Sequence, residues 1–308
     1  MHEEPFTAAG DDLFRAADEE PSTAVGEEPF TAVGEEPFTA VGEGLGFERY
    51  CAEIVTQTGL LAAVLPGADL AAAAPTCPGW TVNQLVRHLG GGQRWAEEIV
   101  RTRAAQPPPD LDFRDLSPYA GEDPVMLADW LTEGAEQFAA TLRAAGPDAD
   151  GWTPLPRGPR APSFFARRMA HETALHRADA VLALKGVYTL ASEVAADGLD
   201  EWMELGSLPE MLDFHPRQRE LLGPGRTLRF EATDARRPAD GEASWLVDLT
   251  GDVLAWRRSA EPAAVTIRGP LLELLLAVYR RRSVADGGLD VEGDTGLLDF
   301  WLDRVAFG

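Results

Sequence analysis

The period of the hydrophobic pattern changes once along this 308-residue chain, and that change constrains the architecture more than any other feature. Between residues 47 and 200 the apolar residues recur at helical spacing; after Pro224 they alternate. A helical period does not sit as a strand, nor an alternating one as a helix, so an all-helical part must precede a sheet. In the first part Phe47, Tyr50, Cys51, Ile54, Leu61 and Leu65 mark one helix, which Pro66-Gly67 stops. A second, over 81–102, carries Val82, Leu85, Val86 and Leu89 on one face, with Thr81 as its N-cap. Further helices are predicted over 124–144, 163–184 and 190–205, the middle one after a Pro/Gly/Arg-rich loop at 154–162. Four to five helices with loops between them predict a bundle.

In the second part 227–233 alternates Leu228, Phe230 and Ala232 with polar partners. Strands over 244–249, 253–258 and 263–268 follow, with Thr250-Gly251-Asp252 as a hairpin turn. A strongly apolar helix over 270–280, a short strand over 289–291 and a last helix over 297–305 complete a small α+β domain. Pro209, Pro216 and Gly223-Pro224-Gly225 place the boundary near 207–224. The expected division is a tail over 1–44, a helical bundle over 45–206 and an α+β domain over 207–308.

The tail follows from repetition. Glu-Glu-Pro-Phe-Thr-Ala-Val-Gly occurs at 27–34 and 35–42, with one change at 3–10 (Ala9) and 19–26 (Ser22), and 11–18 is a degenerate copy. Five tandem octamers are too short a period for a helical solenoid. Four carry a proline that blocks helix continuation, and 1–44 hold twelve acids against one base, Arg15. Such a segment buries too little apolar area to offset its ordering entropy, so a disordered acidic tail is expected. Its alternative is an interaction arm whose partner the sequence does not name. Without it the net charge falls from −24 to about −13.

That acidity excludes a nucleic-acid backbone as the main partner, since such binding needs clustered Lys and Arg. Two cysteines, Cys51 and Cys77, make no disulfide framework, so a reducing cytoplasm is expected. The N-terminus shows no basic n-region or apolar h-region. The longest apolar run, 271–279, is half a membrane span and contains Glu273. Of 27 basic residues only Lys185 is lysine, a bias of GC-rich bacterial genomes.

Five histidines carry the candidate chemistry. His2 falls in the tail and His215 in the linker, which leaves His88, His171 and His176 in the helical part. At about 100° per residue Glu172 and His176 lie about 40° apart on one helix face, whereas His171 and His176 diverge by about 140°. The chelating pair is therefore Glu172 with His176, not the two histidines, and the spacing is not that of a zincin. Asp179 follows on the same face as a partner that could orient the ligand. The third ligand must come from elsewhere, and His88, followed by Gly90-Gly91-Gly92, is the candidate. Two imidazoles and one carboxylate make a zinc-type set with a position left open. The alternative is plain interhelical or surface hydrogen bonding by the same residues. Cys77 precedes Pro78-Gly79 in a turn, with no histidine adjacent, and reads as a buried structural thiol.

Thr76-Cys77-Pro78-Gly79-Trp80-Thr81-Val82, Leu85-Val86-Arg87-His88-Leu89 and Glu172-x-x-x-His176-x-x-Asp179 together resemble the mycothiol-dependent maleylpyruvate isomerase family, of the DinB-like superfamily. The resemblance covers about 47–308 and leaves out the octamers. It implies a four-helix DinB-like bundle followed by a sterol-carrier-like α+β domain. It also implies a divalent metal, usually zinc, on His88, Glu172 and His176, and mycothiol, an actinobacterial thiol, as cofactor. The implied mechanism is a metal-generated thiolate that adds to a small electrophilic, carboxylate-bearing substrate, followed by isomerisation or thiol transfer. Arg87, Arg168 and the run Arg280-Arg281-Arg282 are candidates to hold that carboxylate, the run reading equally as a solvated helix end. The competing readings are a non-catalytic binding or regulatory protein on the same fold, and a metal-assisted hydrolase.

Overall fold

Thr81 caps its helix as its sequence requires: its side chain accepts from the Gln84 N–H while Gln84 reaches back to the Thr81 N–H at 2.9 Å. The computed structural model describes residues 44–109, 123–155, 158–234 and 243–305; the octamer repeats lie outside the described residues. Four long helices make the first part: α1 (Phe47–Ala62), α2 (Val82–Thr102), α3 (Pro124–Ala145) and α4 (Ala161–Ala183). Helices α1 and α2 each pack on α3 and α4 more extensively than on one another, where Gln93 Nε2 donates to Thr58 Oγ1 at 3.1 Å, so the pairs α1/α2 and α3/α4 stand diagonally across the bundle.

Helix α4 is buried on nearly every side, and 19 of its 23 residues are out of water. A helix buried all round needs no amphipathic stripe, which leaves its inward polar residues free for purposes other than solvation. They must then be paired, because a lone buried charge is costly.

Helix α5 (Ser192–Gly206), the short α6 (Met211–Phe214) and a 3-10 turn at Pro216–Leu221 lead to the sheet. Strands β1 (Thr227–Ala232), β2 (Ser244–Asp248), β3 (Ala255–Arg258) and β4 (Val265–Gly269) precede α7 (Leu271–Val278), β5 (Asp290–Gly293) and α8 (Thr295–Leu302). The order is β3-β2-β1-β4-β5, with β1 parallel to β4 and every other pair antiparallel. Leu228 and Phe230 of β1 and Val265 and Ile267 of β4 point to one face, where α7 and α8 cover them. Phe230 lies 5.3 Å from Trp301 of α8; full burial of each such side chain stabilises the fold by about 2–3 kcal/mol.

Helix α5 packs more heavily on the sheet module than on the bundle. Its Trp202 sits 5.1 Å from Trp301 and 6.4 Å from Tyr279, and its Asp200 pairs with Arg258 at 2.7 Å and accepts from Trp245 Nε1 at 2.9 Å. A second contact joins the parts directly, where Leu276 of α7 packs with Ala178 and Val181 of α4 and with Tyr188. Among the described residues no helix is long and apolar enough to cross a membrane.

Candidate metal centre

The turn before α2 sets one wall. Cys77 C=O accepts from the Trp80 N–H at 3.0 Å, with Pro78 and Gly79 between them and Gly79 at φ +85°, a turn that needs glycine at its third position. The turn delivers the Trp80 ring edge-to-face onto His88, 5.0 Å between centroids. It also buries Cys77, whose Sγ lies 3.5 Å from Asp179 Oδ2. The glycines after His88 are used for packing. A Cβ on Gly90 would come within 2.3 Å of the Trp130 ring of α3.

Helix α4 supplies the polar centre. His176 Nε2 and Glu172 Oε2 face each other at 3.5 Å, one turn apart, and both side chains are buried. On the other side of the ring, His176 Nδ1 is 3.0 Å from Asp179 Oδ2. Asp179, with no exposed surface, also accepts from Arg281 Nε at 3.0 Å and Nη2 at 3.2 Å. The Nδ1 position is therefore spoken for, while Nε2 is buried without a hydrogen-bond partner. An orphaned imidazole nitrogen beside a carboxylate oxygen fits a metal ligand pair, with Asp179 fixing the ring. His88 is the looser third member, its ring 5.4 Å from that of His176 and perpendicular to it.

Among the described residues, the His, Cys and carboxylate ligand atoms that all lie within 4.8 Å of one another belong to Cys77, His176 and Asp179; His88, Glu172 and His176 do not meet that limit together. The Cys77 group lies on the occupied side of the ring. A cation there would stand against the Arg281 guanidinium, which already neutralises Asp179.

The electrostatics follow from these contacts. Burial opposes a charge on His176, but its hydrogen bonds to Asp179 and Cys77 and the charge of Glu172 push its pKa up to about 10. Burial would raise Asp179, yet Arg281 foremost and then His176 hold it well below the usual carboxylate range. Glu172 is likewise held below its ordinary value against its own burial, by Arg168 first and then by His176, His88 and Arg281. Metal-free, the site is thus an imidazolium between two carboxylates, and a divalent cation would take the place of the Nε2 proton.

His171 turns away from this centre, as its helical angle requires. Its Nε2 lies 2.6 Å from Asp197 of α5, which also accepts from Tyr50 at 2.9 Å and pairs with Arg167 at 3.2 Å. Two arginines differ from expectation. Arg168 binds Glu172 and Glu201, so it serves protein carboxylates and not a substrate. Arg281 is no solvated helix end: it is buried on Asp179, while Arg282 pairs with Glu273 and Arg280 is exposed. The cause is a left-handed Arg280 at φ +56°, with Arg280 N–H on Ala277 C=O and Arg281 N–H on Leu276 C=O. This Schellman closure of α7 carries Arg281 back into the protein. The signal in the sequence was only the run of arginines after an apolar helix, and it did not single out one of them.

The bundle thus buries a histidine–carboxylate set that an arginine of the mixed-sheet module closes. Residues 51–181 match the family model described as the mycothiol maleylpyruvate isomerase N-terminal domain, and residues 193–300 match the C-terminal domain model of the same family. The chain belongs to the mycothiol-dependent maleylpyruvate isomerase family of enzymes. The second match begins with α5, in keeping with the packing of that helix on the sheet module. Among solved structures, a crystal structure of the mycothiol-dependent maleylpyruvate isomerase is similar at TM-score 0.51 and 14% identity, covering 78% of this chain and 91% of that one. A histidine-to-alanine mutant of that enzyme is similar at TM-score 0.52 and 12% identity, with the same coverage. No curated protein matches the chain.

Proposed function

We propose that the protein is a metal- and thiol-dependent isomerase or S-transferase in which His88, Glu172 and His176 hold a divalent metal, zinc by donor type. The cofactor is a mycothiol-type thiol and the substrate a small, carboxylate-bearing electrophile such as maleylpyruvate. The observation that carries the reading is His176 Nε2, a buried nitrogen with no hydrogen-bond partner, aimed at a carboxylate oxygen while Nδ1 is fixed by Asp179. A bound divalent cation supplies the charge that favours thiolate over thiol at neutral pH. The chain's own residues prepare that place. Asp179 holds the Nδ1 proton, so that Nε2 is the nitrogen whose proton a cation would displace, and Arg281 keeps Asp179 ionised. Trp80 and His88 line the side toward α2 and exclude water from one flank of the donors. The family assignment supports the thiol and the reaction class.

Metal analysis of the purified protein tests this directly. Wild type should retain about one zinc per chain, His176→Ala essentially none, and His171→Gln the wild-type amount, since zinc sites need at least three protein ligands. Conversion of maleylpyruvate should then require both metal and mycothiol. Full zinc retention by His176→Ala, or turnover that ignores the thiol, would defeat the proposal.

A further inference from the structure

Arg168 and Glu172 stand one turn apart on α4, and the arginine meets its neighbour asymmetrically. Nε at 3.2 Å and Nη2 at 3.1 Å both reach Glu172 Oε1. Oε2 is instead the oxygen that faces His176 Nε2 at 3.5 Å. The third nitrogen, Nη1, is taken by Glu201 of α5. All three residues are buried: Arg168 is 4% exposed, Glu172 6% and Glu201 4%. A guanidinium left to itself closes as a fork on both oxygens of a carboxylate. Here the Nε/Nη2 edge, which could close on both oxygens, converges on Oε1 alone, while Glu201 of α5 holds the Nη1 end and with it the orientation of the guanidinium.

Resting on the donor set proposed above, we propose that Arg168, held by Glu201, is a positioning residue that reserves Glu172 Oε2 for the metal and makes the carboxylate a single-oxygen ligand. The arrangement divides labour within one side chain. Oε1 is neutralised by protein charge, and Oε2 stays oriented toward the histidine. It also ties the ligand to the sheet module, because Glu201 lies on the helix whose Trp202 is packed among Tyr279 and Trp301. Outer partners of metal ligands typically change affinity by about 10–100-fold when removed.

The test uses the full chain with zinc, and with cobalt(II) as a spectroscopic probe. Arg168→Met and Glu201→Gln should each bind zinc at least about 10-fold more weakly in competition with a chromophoric chelator. The visible cobalt bands should lose intensity in both variants, as the freed carboxylate closes on the metal with two oxygens and raises its coordination number. Glu201→Gln is nearly isosteric and carries the test if Arg168→Met does not fold. Asp197→Asn breaks another ion pair on the same α4–α5 seam, away from the ligands, and should keep the wild-type affinity and spectrum. Wild-type affinity and spectrum in the Arg168 and Glu201 variants, beside a zinc-free His176→Ala, overturns the positioning role alone. Equal weakening in Asp197→Asn overturns it too, since the effect is then a general loosening. Zinc retention by His176→Ala overturns the donor set, and this inference with it.

Discussion

Asp179→Asn is the most informative single change. The carboxylate is wholly buried and holds Arg281, whose side chain is only 3% exposed. Removing one partner of such a pair leaves an uncompensated buried charge and costs about 3–5 kcal/mol. The introduced amide carbonyl still accepts one bond from Arg281, which offsets about 1 kcal/mol. The expected net loss is about 3 kcal/mol, or a fall of about 6–12 °C in melting temperature for a chain of this size. There is a second effect at the ring. With its oxygen turned to Arg281, the amide presents its NH₂ to His176 Nδ1, and the ring must then carry its proton on Nε2. That tautomer cannot bind a metal through Nε2, so zinc affinity should fall about 10–100-fold as well. Thermal unfolding of the chelator-treated protein measures the first effect without the second; zinc competition measures the second. A metal-free melting temperature within about 2 °C of wild type would refute the charge argument. Wild-type zinc affinity would refute the tautomer argument.

The pH dependence of metal binding has a definite sign. With the His176 pKa raised to about 10, zinc must displace a proton at neutral pH, so affinity should rise about tenfold per pH unit from 7 to 9; a flat profile in zinc titrations would contradict this. The same raised pKa stabilises the metal-free fold fully below the unfolded value of about 6.5, and that contribution should fade as pH climbs toward about 10. Chemical denaturation of the chelated protein across that range, compared with His176→Ala, isolates it. Gly90→Ala should destabilise by about 1 kcal/mol: overpacking against Trp130 costs about 1–3 kcal/mol and the gain in helix propensity offsets part of it. Deleting residues 1–43 should shift stability by no more than about 0.5 kcal/mol, as read by thermal melts, because the octamers carry no core-forming pattern.

Much of the architecture was determined by the sequence alone. Element type followed from period: helices over 81–102 and 124–144 reappear as Val82–Thr102 and Pro124–Ala145, and the strand over 227–233 as Thr227–Ala232. Those are local properties, set by which residues alternate and which recur every third or fourth place. The pairing of Glu172 with His176, and the divergence of His171, were equally local, since one helix turn fixes both. Helix–helix distances are not local. That His88 comes within 5.4 Å of His176 required α2 to pack beside α4, which no spacing in the chain encodes. The role of Arg281 was hidden for the same reason. Only the reversal at Arg280 and the docking of α7 on α4 bring it to Asp179, and in sequence it is one of three adjacent arginines. The pattern over 190–205 marks α5 as a helix but does not show that its Trp202 and Asp200 pack into the sheet module while its Asp197 and Glu201 bind the bundle. Burial decides such matters: a charged or aromatic side chain takes its meaning from what surrounds it, and around Asp179 those surroundings include Arg281, 102 positions along the chain.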